Sequence, residues 1–322
     1  MHIFYIGERL NIHEKTFSKI GINYIILTIT TILVQILLVN IINIFNPLLL
    51  QNNTIITLIT SLSSYILPLP VFIYLMGKLK SEKIIKKRLN VKKFFKYLCI
   101  SITFMWIGNI IGVIITFLIG TLISSEIVNP INQLIQNSSI YVNILIISFL
   151  APIFEEIFFR KLLIDRTIQY GAKISILLSA LLFALFHGNL SQFFYAFLIG
   201  GLFAYIYIKT GRIIYTILLH MIINLSGSVV NVLFNQSLQN IQTGALIIPD
   251  VIIVAVYFVF IITCLTVGIS AVLDYKNIKL ESTTPEIILE RPVKTVLLNT
   301  GMIIFIIYYL IKIIMSLGII SF

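Results

Sequence analysis

Charged side chains are scarce in this sequence of 322 residues: Asp, Glu, Lys and Arg make up 11% of it, against 59% for hydrophobic residues. A soluble globular domain carries about 25% charged residues, so the composition excludes that class. The mean hydropathy of +1.05 is typical of a protein surrounded by lipid. A formal net charge of +11 would suggest nucleic-acid binding in a soluble protein. Here the cations lie between apolar runs, and we predict no nucleic-acid partner.

Cysteine is also nearly absent, which restricts the redox and metal chemistry that the chain can carry. Cys99 and Cys264 lie in different apolar runs, and neither belongs to a CxxC or CxxxH motif. This pattern indicates neither a disulfide framework nor a zinc knuckle. We interpret both cysteines as small buried apolar side chains.

Long apolar runs are abundant, and they predict an all-α fold: a polytopic bundle of about nine transmembrane helices. A span needs roughly 20 apolar residues to cross about 30 Å of hydrocarbon. The runs lack the short alternating segments of a membrane β-barrel. The predicted spans are 22–45, 55–77, 97–123, 141–160, 172–188, 190–208, 213–235, 251–273 and 296–316.

The Lys and Arg residues occupy every second loop of this arrangement. The N-terminal arm and four loops hold 21 of the 23, whereas the three intervening loops hold none. Since Lys and Arg concentrate on the cytoplasmic side, the N-terminus is predicted to be cytoplasmic. We divide the chain into a three-helix region with a large basic loop (1–140), a four-helix core (141–235) and a two-helix region (236–322).

The ionisable groups inside the predicted spans are concentrated in the core. A charge at mid-bilayer costs about 2.5 to 3.5 kcal/mol on insertion scales, so such groups need a partner or a function. Glu156 and Arg160 are four residues apart and are predicted to form an ion pair on one helix face. Glu155 has no such partner in its helix. It is therefore the candidate general base.

Two further polar groups share a face of the seventh predicted span. His220 and Asn224 are four residues apart, so they form a patch of two donors that could hold an oxyanion. Glu155 and His220 each lie roughly 10 Å from the inner end of their spans, which predicts a pocket open to the cytoplasm. His187 would lie nearer the outer face. Pro152 is expected to free the carbonyl of Ser148.

Three short motifs hold these residues: EEIFFR at 155–160, FALFH at 183–187 and HMIIN at 220–224. In this order they match EExxxR, FxxxH and HxxxN, and the sequence resembles the CAAX protease and bacteriocin-processing family, also called the Abi family, of intramembrane proteases. The resemblance covers roughly 141–235. It implies an intramembrane endopeptidase acting on a membrane-associated peptide or protein.

The resemblance also implies a role for each residue. Glu155 would activate water with help from His187, His220 and Asn224 would stabilise the oxyanion, and Glu156 and Arg160 would organise the site. The family has been described both as metal-dependent and as metal-free. The lack of HExxH and the presence of Asn224, a poor zinc ligand, favour a glutamate protease without a cofactor. In the zinc-dependent alternative, the ligands would be Glu155, His187 and His220.

Two other functional classes stay open at this point. The same acids and histidines could form a proton or ion relay in a transporter, although the chain lacks the paired interrupted helices that transporters often show. The chain could also be a catalytically idle membrane scaffold or immunity protein. Heavy use of Ile, Asn and Lys hints at an AT-rich bacterial genome, and so at the bacterial plasma membrane.

Overall fold

Helices account for the fold, as the apolar runs predict. The computed structural model describes residues 2–65, 67–123, 127, 129–244, 247–274 and 286–319, and none of these residues belongs to a β-strand. In chain order the helices are α1 (His2–Phe45), α2 (Asn53–Leu62), α3 (Pro68–Gly77), α4 (Val91–Leu122), α5 (Pro130–Asn137), α6 (Ile140–Tyr170), α7 (Ala172–Phe186), α8 (Leu190–Thr210), α9 (Ile213–Gln242), α10 (Ile248–Leu273), α11 (Pro292–Leu297) and α12 (Thr300–Ser316).

Six of the described helices, α1, α4, α6, α8, α9 and α10, are long and apolar enough to cross a membrane. The predicted span 55–77 is instead divided between α2 and α3. Pro68 and Pro70 lie at this break, and neither has the N–H that would continue the helical hydrogen bonds. Helices α7 and α12 are also shorter than a full span. The count of nine crossings therefore stays a prediction.

Apolar side chains cover the outside of the long helices. Leu33 and Leu37 of α1, Phe117 of α4 and Val259 of α10 all have more than half of their surface exposed. Soluble proteins rarely expose contiguous apolar surface on this scale, whereas lipid solvates it. The chain is an integral, multi-pass membrane protein.

The basic segments meet at one end of the bundle. The extended chain before α4 crosses this end: the N–H of Glu82 donates to the Asp165 carbonyl at 2.6 Å, and that of Lys87 to the Thr210 carbonyl at 2.8 Å. His13, in the N-terminal arm, lies 3.1 Å from the Tyr170 hydroxyl. We call this the basic end of the molecule.

Small residues let α8 approach its two neighbours closely. A Cβ on Gly108 of α4 would collide with the backbone of Tyr195, and one on Gly112 would lie 2.9 Å from the Ser191 carbonyl oxygen. On the other side of α8, a Cβ on Gly200 would lie 3.0 Å from the ring of Phe183. Helix α8 therefore lies between α4 and α7.

Candidate active site

The acidic motif lies where α6 changes its helical geometry. The stretch Ala151–Glu156 is α-helical, and it is flanked by π-helical stretches at Asn143–Leu150 and Ile157–Leu162. A π-helix closes its hydrogen bonds over five residues rather than four, so each stretch rotates the following side chains relative to a regular helix. Such irregular turns are frequent at functional sites.

Glu156 and Arg160 form the ion pair that their spacing predicts. Arg160 Nε lies 3.1 Å from Glu156 Oε2, and both side chains are completely buried. The angle at this contact is outside hydrogen-bond geometry. The guanidinium also donates through Nη1 to Ser179 Oγ at 3.3 Å, and it lies 4.7 Å from the centre of the Phe183 ring. Packing from α7 thus holds the arginine in place.

His220 lies between the two acids of α6. Its Nδ1 is 3.0 Å from Glu156 Oε1, a hydrogen bond between buried groups. Its Nε2 is 3.6 Å from Glu155 Oε2, a distance too long for a hydrogen bond but within ion-pair range. Because a carboxylate can only accept, Nδ1 carries a proton toward Glu156. Glu156 thereby fixes the orientation of the imidazole and leaves Nε2 facing Glu155.

Asn224 compensates for Pro152. Its side-chain Nδ2 donates to the Ile147 carbonyl at 2.9 Å. In the π-helical pattern this carbonyl would pair with residue 152, which is a proline without an N–H. The prediction for the Ser148 carbonyl assumed α-helical pairing, whereas π-helical pairing moves the carbonyl opposite Pro152 to Ile147. Asn224 keeps one amide hydrogen for another acceptor.

His187 reaches the same region through the end of a short helix. Helix α7 has 15 residues and rises only about 22 Å, so it ends well before the full thickness of the hydrocarbon. The His187 ring lies 4.9 Å from the Phe183 ring, which in turn lies 5.8 Å from the His220 ring. Both imidazoles therefore lie next to the same phenylalanine.

Glu155, His187, His220 and Asn224 all line one cavity of about 810 Å³. Glu155 keeps a fifth of its side chain accessible, whereas Glu156 is sealed off. The two adjacent acids thus differ as the sequence predicts: one is a paired structural group, and the other faces open space. The arrangement offers a carboxylate, two imidazoles and an amide to any molecule in the cavity.

The cavity extends from Glu155 away from the basic end, the end that the sequence analysis assigns to the cytoplasm. Its lining includes Asn129 and Asn132 beside and within α5, at the opposite end of the bundle. Counting residues from the inner helix ends predicts a depth for Glu155 and His220, but it does not predict the direction of the cavity beside them. The direction of the cavity depends on where neighbouring helices leave a gap between them.

Residues 137–226 match the sequence model of the family described as Type II CAAX prenyl endopeptidase, Rce1-like. This segment contains all three motifs and every candidate catalytic residue. This part of the chain is similar to the CAAX protease family. The match covers the core only and leaves the flanking helices unassigned. No match to the chain was found among the curated proteins or the solved structures.

The match over residues 137–226 supports peptidase activity, because the matching family is a family of proteases. It confirms the resemblance that the motifs indicate. The family match assigns no role to an individual residue. The roles of Glu155, His187, His220 and Asn224 therefore stay predictions, now with a common cavity to support them.

The zinc-dependent alternative would need Glu155, His187 and His220 to be grouped around one metal ion. Within the described residues, no three side chains of His, Cys, Asp or Glu are grouped closely enough to hold a metal. His220 directs Nδ1 at Glu156, which leaves Nε2 facing Glu155. The metal-free mechanism stays a prediction, and the proposal below uses no metal.

Sequence reasoning missed the side chains that hold Arg160. Ser179 accepts from its Nη1 and donates to the Phe159 carbonyl at 2.8 Å, and the Phe203 ring lies 5.8 Å from its Cζ. A signal for Ser179 was present, because it precedes Phe183 by four residues and His187 by eight and so shares their face of α7. Phe203 is on α8 and carries no such local signal.

Replacing Ser179 with Ala should lower the free energy of unfolding by about 1 to 3 kcal/mol, because buried partners on Phe159 and Arg160 lose a hydrogen bond. The change is measurable by chemical or thermal unfolding in detergent. Ser175→Ala is the matched control: Ser175 is equally buried, but it donates only to a carbonyl of its own chain segment, that of Gly171. If both variants lost the same free energy of unfolding, the result would contradict a specific role of Ser179 in holding Arg160.

Proposed function

We propose that the chain is an intramembrane endopeptidase in which Glu155 activates a water molecule to hydrolyse a peptide bond. The observation that carries this proposal is the position of Glu155: it faces the cavity and lies 3.6 Å from His220 Nε2, within the family-matched core. An accessible carboxylate next to an imidazole is the arrangement that general-base hydrolysis requires.

The proposed reaction needs only groups of this chain. Glu155 takes a proton from water as the water oxygen attacks the carbonyl carbon of the substrate. The resulting oxyanion is held by Nε2–H of His220 and by the free amide hydrogen of Asn224. Glu155 then gives its proton to the leaving nitrogen, and the C–N bond breaks. His187 assists from its position in the cavity lining, beside Phe183.

The charges of the site are consistent with His220 acting as a donor. When His220 is an imidazolium, the two carboxylates are balanced by the imidazolium and the Arg160 guanidinium. A neutral set of four is far less costly in a low-dielectric interior than an unbalanced one. Glu156 is therefore a positioning residue: it binds both cations, and it aims Nε2 of His220 at the reacting atoms.

Replacing Asn224 with Ala should reduce kcat about 10²-fold to 10³-fold with little change in KM, because the lost donor acts on the oxyanion rather than on the bound substrate. The variant also leaves the Ile147 carbonyl unpaired, so unfolding in detergent must be measured beside steady-state kinetics. Asn224→Asp is a useful companion, since it keeps the size of the side chain but repels the oxyanion. Full activity in either variant would contradict the proposed oxyanion site.

We further propose nine membrane crossings with the N-terminus in the cytoplasm. The gathering of the N-terminal arm and the basic loops at one end of the bundle supports this orientation. The three regions 1–140, 141–235 and 236–322 would then be membrane units around one catalytic core. The composition supports a bacterial plasma membrane as the location.

The substrate would be a membrane-associated peptide or protein segment. A lipidated C-terminus, a leader peptide and the precursor of a signalling peptide all belong to this class. The decisive experiment is comparative peptidomics of membranes that contain either the native chain or Glu155→Gln. Fragments found only with the native chain support the endopeptidase, and identical peptide sets contradict it. Cleavage that survives strong chelation would argue against the zinc-dependent alternative.

A further inference from the structure

The cavity beside Glu155 lies entirely on one side of the catalytic groups. On α4 it is lined by Met105, Trp106 and Asn109, at least 14 residues from the start of the helix at the basic end. At about 1.5 Å per residue, this distance exceeds 20 Å. On α8 the lining residues begin at Gln192, near the end of the helix that is remote from Lys209.

The cavity-lining residues of α6 and α9 indicate that the cavity extends in the same direction. On α6 the cavity is lined by Ile146, Ile147, Ala151 and Glu155, and by no residue later in the helix. On α9 the lining begins at His220 and continues toward the remote end. Glu155 and His220 thus form the floor of the cavity, and the basic end lies beneath that floor.

The walls carry almost no charge. Among the described residues that line the cavity, Glu155 is the one Asp, Glu, Lys or Arg. The remaining polar groups are histidines, amides, hydroxyls and the Trp106 indole, in walls that are otherwise mainly apolar. Without a lysine or arginine, the walls offer no counter-ion to a phosphate or to a free C-terminal carboxylate. The cavity therefore suits an uncharged apolar segment.

The volume is sufficient for several residues of a peptide. Ligand pockets generally measure about 300 to 1,000 Å³, and this cavity of about 810 Å³ is near the upper end. Gly227 of α9 lines it, and a Cβ built on Gly227 would have no neighbour within 4 Å. A larger side chain at this position would therefore occupy cavity space before it collided with the protein.

We propose that the substrate reaches Glu155 from the membrane face opposite the basic loops, as an uncharged apolar peptide segment. This inference rests on the proposed endopeptidase activity and orientation. With the basic end in the cytoplasm, the substrate segment enters the cavity from the outer half of the membrane and reaches Glu155 at its floor. The bond lies within the chain rather than beside a charged terminus.

A sidedness assay tests the direction of access. The probe is an internally quenched apolar peptide with blocked ends, coupled to a large polyethylene glycol chain that prevents it from crossing the bilayer. Right-side-out membrane vesicles should cleave the added probe at least tenfold faster than inverted vesicles, and detergent should remove the difference. Faster cleavage by inverted vesicles would overturn the inference while leaving the endopeptidase proposal intact.

If no vesicle preparation cleaves the probe, including those opened by detergent, the result would instead count against the endopeptidase proposal. Thiol labelling then still decides the direction of the cavity. In a background with Cys99→Ala and Cys264→Ala, intact cells should label Asn132→Cys with a membrane-impermeant maleimide. Lys161→Cys, at the basic end, should react only after permeabilisation. The reverse pattern would overturn the inference.

Gly227→Phe tests whether the cavity holds the substrate. We expect kcat/KM for the apolar probe to fall at least tenfold, because the added ring fills the path to Glu155. Gly77→Phe is the matched control: an added Cβ there also meets nothing within 4 Å, and Gly77 does not line the cavity. Similar kinetics for native protein and Gly227→Phe, with correct insertion, would contradict binding in this cavity.

Discussion

Replacing Glu155 with Gln is expected to abolish peptide-bond cleavage, a loss of at least about 10³-fold in kcat. General acid–base groups contribute about 10²-fold to 10⁴-fold, and the amide cannot take a proton from water. Because Gln has nearly the size of Glu, and because the Glu155 carboxylate makes no hydrogen bond to His220, insertion and folding should persist. The measurement is single-turnover cleavage of the apolar probe by purified protein.

The control for this experiment is Glu82→Gln at the basic end. Glu82 pairs with Lys80 at 2.9 Å on the surface, and its link to Asp165 is made by the backbone rather than by the side chain. The control should keep native activity. Cleavage that persists in Glu155→Gln would remove the general base from the mechanism, and unchanged biological activity without any cleavage would favour the idle scaffold.

Removal of one partner of the Glu156–Arg160 pair should cause the largest loss of stability. Glu156→Gln leaves the guanidinium buried without its counter-ion, and breaking such a pair typically costs about 3 to 5 kcal/mol. Arg160→Met should cost a similar amount by leaving two adjacent carboxylates without the guanidinium. The measurement is the free energy of unfolding in detergent, followed by the fluorescence of Trp106.

A double variant measures how much the two charges of this ion pair stabilise each other. Glu156→Gln combined with Arg160→Met leaves no unpaired buried charge from this pair, so it should be more stable than the sum of the single losses predicts. It should remain inactive, because His220 loses the carboxylate that orients it. Additive losses in the double variant would show that the two charges do not stabilise each other.

The difference between Glu155 and Glu156 explains why two adjacent acids are needed. Glu156 is occupied by Arg160 and His220, so it is unable to leave its partners to accept a proton from water. Glu155 has the opposite environment, with one face open to the cavity. A single carboxylate would have to perform both tasks, and positioning would compete with proton transfer.

Much of this site is encoded in local spacing. The pairing of Glu156 with Arg160 follows from four residues of separation on one helix, and the shared face of His220 and Asn224 follows from the same rule. The acidic motif and the two histidine motifs also carry the resemblance to the CAAX protease family, which the match over residues 137–226 confirms. These features depend on neighbours in the chain.

Other features of the site depend on partners that are distant in the chain. The bond between His220 and Glu156 joins residues 64 positions apart, and the bond from Asn224 to the Ile147 carbonyl joins residues 77 apart. The sequence also did not show that the rings of His187 and His220 both lie near Phe183, because α7 and α9 are separate segments of the chain.

By itself, the sequence determined the helical membrane class and the ion pair on α6, since hydropathy and helical periodicity are properties of short stretches of chain. Only the tertiary structure decided which carboxylate binds His220 and where the cavity leads. Both depend on how α6, α7 and α9 pack against one another. The shape of the space between helices comes from all of their contacts together, and no single segment contains it.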